Sequence, residues 1–380
     1  MEDISEKLFV TTMSSTKLHP NFKYIAKERD PYLKEVLKGW AQGFIDRDKK
    51  FINEFQTTFN SSFWELYLFA VLKKLGLKVN LELDRPDFVI EGEKGFCIEA
   101  TIASNAEGMT PEWEKLFTEE EFKKWTVEKV VNNATIRLAN AFVTKSQKYL
   151  KSYIKLNQTK DRPFVIAIAP FDSPYFFIQN LQPIIRVLYG FDRFIAIDWD
   201  EHNRDLFDSV FIEEIDKSNA SKVPLGYFTN PNHSHVSAVI FSNVATASKA
   251  RVLSNDQRVT IVSYQKYNDY GTQPTIEHKE KSQYKEDLLD GLIVFHNPYA
   301  DIPFNVEEFY HECIGHYDFD VEEKKFITDI PHGFLYQRQV RVMNAPHFSK
   351  NQLKKYRETI IQQLRLGDIV PKVNFPKFHE

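Results

Sequence analysis

Cysteine is scarce in this chain of 380 residues: Cys97 and Cys313 are the two it has. Two cysteines build no disulfide scaffold, and their scarcity fits a reducing compartment, so a cytoplasmic location is expected. Long apolar runs are missing too, and no stretch approaches the roughly 20 residues that span a bilayer. The opening residues, MEDISEKLFVTTMSS, start acidic and hold no sustained apolar segment, so no secretory signal is expected there. Nor is there an excess of one charge. A formal net charge of −4 provides no global field for nucleic acid, so any such contact must come from a local basic patch. There is no GxSxG, no Walker A loop and no GxGxxG, which leaves serine-hydrolase and nucleotide-binding readings without a motif.

What is present describes a folded α/β protein. The 32 Phe and 17 Tyr exclude a disordered composition. Residues 1–57 read as an N-terminal helical extension, with apolar spacing through Leu33, Leu37, Trp40, Phe44, Phe51 and Phe55. NSSFWELYLFAVLKKLG follows as a helix with a polar start, lysines in its last turn and Gly76 to end it. Three strand-like runs come next: LKVNLEL, DFVIEG and GFCIEATIA. A long helix is expected over about Val127–Tyr153, and then RPFVIAIAPF as a strand covered on both faces. Residues 58–170 thus give helix, three strands of a mixed or antiparallel sheet, helix, strand. Residues 171–380 hold further strands (FIAIDWD, HVSAVIFS, RVTIVSY, GLIVFHN) and helices near 176–189 and 351–366. They either continue the first sheet or form a second domain; one domain with a large C-terminal α/β elaboration is the preferred expectation.

The chemistry sits in the first half. Side chains alternate along a strand, so Cys97, Glu99 and Thr101 share one face of GFCIEATIA. Asp87 opens the preceding strand next to Pro86, and a hairpin brings its carboxylate toward Glu99. Two close carboxylates repel, and a divalent cation between them relieves the repulsion. Hard oxygen donors without a His or Cys set point to Mg²⁺, with Mn²⁺ as the alternative. Glu65 is the third member: it is the single polar residue in FWELYLFAVL, a helix apolar nearly all round, where an ionised carboxylate needs a partner.

The order Glu65, Pro86-Asp87, Glu99-Ala100-Thr101 resembles the PD-(D/E)xK, or restriction-endonuclease-like, nuclease superfamily over residues 60–170. The resemblance implies that Asp87 and Glu99 ligate Mg²⁺, that the Ala100 carbonyl joins them, and that Glu65 belongs to the site. It also implies a lysine where this chain has Thr101, which carries no charge. Members of the superfamily relocate that lysine to the following helix. There the stripe Val127, Val131, Ala134, Leu138, Phe142, Lys145, Tyr149 places Lys145 on the sheet-facing side, with Lys148 at its edge. The expected activity is Mg²⁺-dependent phosphodiester hydrolysis, with DNA favoured over RNA, by a homodimer, in a setting such as bacterial restriction or defence. The alternative is a catalytically inactive nuclease fold acting as a nucleic-acid-binding or protein-binding scaffold, with a protein partner on the C-terminal half.

Other motifs carry less. HECIGH at His311–His316 has its histidines five apart, whereas a zinc face on a helix needs i and i+4. DWDEH at Asp198–His202 reads as a solvated strand end, and His233 and His235 read as surface residues of a Pro/Asn loop. KSQKYLKSYIK at 145–155 and the basic amphipathic run KNQLKKYRETIIQQLR are the candidates for phosphate contact.

Overall fold

The computed structural model describes residues 3–26, 30–114, 118–196, 207–217, 221–267 and 275–342, and beyond them only positions 351, 354, 355 and 358. In chain order it begins with helices α1 (Pro20–Ala26), α2 (Pro31–Ala41), α3 (Phe51–Thr57) and α4 (Phe59–Lys74). Then come β1 (Phe88–Val89), β2 (Cys97–Ser104), α5 (Glu119–Lys124), α6 (Val127–Lys148), β3 (Phe164–Phe171) and α7 (Gln182–Tyr189). Two hairpins follow, β4 (Phe191–Ala196) with β5 (Phe207–Phe211) and β6 (Glu214–Asp216) with β7 (Lys222–Pro224). The remainder is β8 (Ala238–Phe241), α8 (Ala247–Leu253), β9 (Thr260–Lys266), β10 (Thr275–Glu280), β11 (Leu292–His296), β12 (Ile314–Asp320), β13 (Lys325–Asp329) and β14 (Leu335–Val342).

Among the described residues the largest sheet has seven strands in the order β1-β2-β3-β8-β11-β12-β13. β2, β3 and β8 run parallel, β1 closes one edge antiparallel, and β11 reverses direction against β8. The protein is therefore mixed α/β, and its C-terminal half continues the sheet begun in the first half. β9, β10 and β14 make a separate three-stranded sheet. No helix among the described residues is long and apolar enough to cross a membrane.

β3 shows why the sheet is covered on both faces. All eight of its residues are buried. Val165, Ala167 and Ala169 pack with α4 and the N-terminal helices, while Phe164, Ile166 and Ile168 pack with α6 and α7. The near-uniform apolarity of α4 has the same origin. One side lies on the sheet, where Trp64 donates its indole N–H to the Ala167 carbonyl at 3.0 Å. Leu33, Leu37, Trp40 and Phe55 of α2 and α3 belong to the same core.

Two local expectations change. LKVNLEL is not a strand: it makes one isolated bridge, Val79 with Ile90. Leu77, Val79 and Leu81 do pack on the core, but the Asn80 side chain accepts the Glu82 N–H at 2.9 Å and turns the chain before a ladder can extend. The long helix starts as expected, with Thr126 capping it by accepting the Lys129 N–H at 3.2 Å. Its last turn, Tyr149–Tyr153, is a π-turn rather than α. Val127, counted in its apolar stripe, is exposed, and burial on that stripe begins at Val131. The expected helix over 351–366 lies mostly outside the described residues, and DWDEH lies wholly outside them.

Candidate functional site

The antiparallel register of β1 and β2 sets Phe88 opposite Ile98 and Val89 opposite Cys97. One further step places Asp87 across from Glu99, on the same face. Asp87 Oδ2 accepts the Ala100 N–H at 2.7 Å, tying its side chain to the neighbouring strand. The Glu99 side chain has 0% exposure. Its Oε1 receives two ammonium groups from the last turn of α6, Lys145 Nζ at 2.6 Å and Lys148 Nζ at 2.7 Å. Its Oε2 is buried and has no hydrogen-bond partner. One oxygen of this carboxylate is thus shared by two cations and the other is bare.

Helical geometry explains the paired lysines. Residues three apart lie on one face, and both side chains reach back over the sheet at the height of Glu99. The π-turn begins directly after Lys148 and brings Tyr153 alongside, with Lys148 Nζ 5.0 Å from its ring centroid. Burial first, and then the Glu99 charge, push the Tyr153 phenol above its ordinary range, so it stays protonated.

The other carboxyls are under electrostatic strain. Asp87 is pushed up to about 6, by burial and then by the Glu99 charge, against the pull of Lys145, the Ala100 N–H and Lys148. Glu65 on α4 is raised well above the ordinary range by burial and then by Asp87. Arg47 pulls Glu65 back, while Glu54 and Glu99 add to the rise. Arg47 also donates to the Leu83 and Asp87 carbonyls, the latter at 3.1 Å, and so fastens the chain entering β1. α4 and β1–β2 thus deliver three mutually repelling carboxyls, and α6 supplies the compensating charge.

A divalent cation suits this arrangement in part. The bare Glu99 oxygen and the raised Asp87 carboxyl are hard donors that positive charge would relieve. Yet among the described residues no three His, Cys, Asp or Glu side chains form a group able to hold an ion, so Glu65 is not assembled with Asp87 and Glu99 into a carboxylate cage. The fit is to Mg²⁺ held by two carboxylates, with main-chain and water oxygens completing its shell, as that ion commonly is. Thr101 is half-buried on β2 opposite Ile168 and supplies no charge.

Several residues fell outside the sequence reading or were misplaced by it. His233 and His235 are half-buried against α6, not on the surface. Ser146 Oγ lies 2.9 Å from His233 Nδ1 and 2.8 Å from His235 Nε2, and the His235 ring stacks on Tyr149. Arg47 and Tyr153 carried no motif that would single them out. Of the basic run at 145–155, Lys145 and Lys148 turn to Glu99, while Lys151 and Lys155 remain exposed. The C-terminal basic run lies mostly outside the described residues. In HECIGH, His316 belongs to β12 and its Nδ1 meets His296 Nε2 at 3.0 Å, which is a strand pairing and not a zinc-binding helix face. Compared with known proteins, the chain matches no family model, no curated protein and no solved structure.

Proposed function

We propose that this protein is a Mg²⁺-dependent phosphodiesterase of the PD-(D/E)xK kind, acting on DNA in preference to RNA. The observation that carries the reading is the wholly buried Glu99, one oxygen held by Lys145 and Lys148 and the other bare beside Asp87. A buried carboxylate oxygen left without a partner costs free energy, and a bound ligand would offset that cost. The order α4, β1, β2, α6, β3 supports a restriction-endonuclease-like core with two strands, not three, before α6, and with the sheet continued by strands from the C-terminal half.

In this reading Asp87, Glu99 and the Ala100 carbonyl would hold the ion. Bound Mg²⁺ supplies Lewis acidity to the scissile phosphoryl group and acidifies an attacking water. Lys145 and Lys148 leave their shared oxygen as substrate enters and set positive charge against the developing oxyanion, the part that Thr101 cannot play. Glu65, whose carboxyl burial and then Asp87 raise well above the ordinary range, takes up protons more readily than an ordinary carboxylate and so can share in proton transfer. Tyr153 braces Lys148. A homodimer places two such sites on a duplex, and a defence role suits such an activity.

The decisive experiment incubates the purified chain with plasmid, linear duplex, single-stranded DNA and RNA, with and without Mg²⁺ or Mn²⁺. Hydrolysis that needs the metal and disappears in Asp87→Ala and Glu99→Ala is expected. Absence of hydrolysis in every condition, with calorimetry showing no metal site that Asp87→Ala removes, favours the second reading, a non-catalytic scaffold. That reading draws on Thr101 at the lysine position and on the missing three-carboxylate cage.

A further inference from the structure

A second concentration of unsatisfied polar groups lies away from the β1–β2 edge. β3 and β8 are adjacent and parallel, with Ile168 opposite Phe241, so the residues following each strand emerge at the same end of the sheet. Asp172 and Ser173 follow β3, Asn243 follows β8, and Gln179 closes the 3₁₀ turn Phe176–Ile178 a few residues after β3. Their exposures are 5%, 2%, 2% and 1% in that order. Asp172 Oδ1 and Oδ2, Ser173 Oγ, Gln179 Oε1 and Asn243 Nδ2 all lack a hydrogen-bond partner. The Gln179 amide nitrogen donates to the Phe176 carbonyl at 2.8 Å, which fixes the amide so that its oxygen is the free atom. Ser173 and Gln179 both act on the Asp172 carboxyl, which burial nonetheless pushes up to about 6. Arg137 also acts on Asp172 through its charge but makes no ion pair with it.

Buried polar groups are ordinarily paired, and two bare oxygens on one buried carboxylate are a large unmet demand for positive charge. Four of the five free atoms, those of Asp172, Ser173 and Gln179, are carboxylate, hydroxyl and amide oxygens, a hard donor set; the fifth, Asn243 Nδ2, is an N–H donor and no cation ligand. They stand just outside the carboxyl ends of parallel strands, where open α/β sheets place ligands. Among the described residues of this group Asp172 is the one carboxylate, so a single positive charge neutralises it, whereas a divalent ion would leave net charge buried. We infer that Asp172, Ser173 and Gln179 bind a monovalent metal cation, Na⁺ or K⁺, at the carboxyl end of β3. This site is independent of the proposed phosphodiester chemistry and ties the turn that follows β3 to the sheet.

The test uses the full chain treated with EDTA, unfolded thermally in NaCl, KCl and choline chloride at equal ionic strength. One alkali ion should raise Tm saturably above choline. Asp172→Asn should lose that shift, and the Asp87→Ala/Glu99→Ala double variant should keep it. Crystals soaked in Rb⁺ or Tl⁺ should show an anomalous peak between Asp172 and Gln179, a measurement on wild type that holds even if Asp172→Asn does not fold. Equal Tm in all three salts overturns the inference, as does a site filled by water or by the Arg137 guanidinium with no anomalous peak.

Discussion

Glu99 and Glu286 are both glutamates with 0% side-chain exposure, and each meets two cationic side chains. Their surroundings differ in what is left over. Glu286 uses both oxygens: Oε1 lies 2.8 Å from Lys249 Nζ, and Oε2 lies 2.8 Å from Arg338 Nε and receives the Tyr284 hydroxyl at 2.8 Å. Lys249 also donates to the Asp287 and Asp290 carbonyls, at 3.0 and 2.8 Å, and Arg338 to the Val244 carbonyl. Although burial opposes it, Arg338 and Lys249 hold the Glu286 carboxyl below the ordinary range. Both partners of Glu286 are fully buried, so this triad binds β14 to the core and has no route to a ligand. Around Glu99 the cations crowd one oxygen, Lys148 is 44% exposed, and the neighbouring Asp87 is pushed up instead of down. A buried ion pair built for stability is closed. The one proposed to bind and react is open on one side and strained.

That contrast can be broken most sharply at the closed triad. Glu286→Gln leaves Lys249 and Arg338 buried without a counter-charge, and should destabilise the protein by about 3–5 kcal/mol in urea unfolding. An effect below about 1 kcal/mol would mean that the triad is not what holds β14. At the open site the expected order reverses, with activity lost and the fold kept. Lys145→Ala should lower the hydrolysis rate on the order of 10²–10³-fold and Lys148→Ala less, with little change in Tm. Equal losses of stability at both sites would erase the distinction between them.

Asp87 sharpens the comparison through pH. Its folded pKa of about 6 stands above the ordinary 3.8, so its contribution to stability is fully present below about pH 4 and is lost as pH rises through about 6. Asp87→Asn removes that loss. In EDTA it should stabilise the protein by roughly 1–2 kcal/mol at pH 8 and by almost nothing at pH 4. A variant less stable than wild type at pH 8 would show that no strain is stored there. The smallest effect is expected at the exposed pair of Lys94 and Glu307, 2.7 Å apart, where solvent screens the charges and Lys94→Ala should leave Tm unchanged.

Much of the candidate site could be read from spacing alone. Alternation along β2 put Glu99 on the face that meets α6, and the 3.6-residue stripe put Lys145 on the side of α6 that meets the sheet. Glu65 stood out as the lone polar residue in an apolar helix. These are local regularities, and a sequence displays them directly. Arg47, Tyr153, His233 and His235 obeyed no such period. Arg47 reaches the site from the loop between α2 and α3, Tyr153 through a π-turn that shifts the helical register, and the histidines from a loop some 90 residues after Ser146. The strand expected at LKVNLEL failed for a similar reason: its alternation was real, but the Asx turn at Asn80 overrode it.

From residue order alone came the covered strands, the amphipathic α6, the acidic order Glu65–Asp87–Glu99 and the absence of charge at Thr101. These follow from backbone periodicity and the cost of burying polar atoms. Only the tertiary structure decided that Lys145 and Lys148 share one oxygen of Glu99, that the other oxygen has no hydrogen-bond partner, and that Glu286 has a cation beside each oxygen. Those outcomes depend on distances of 3 Å between elements far apart in the chain. No one-dimensional pattern encodes such distances until the sheet has closed around them.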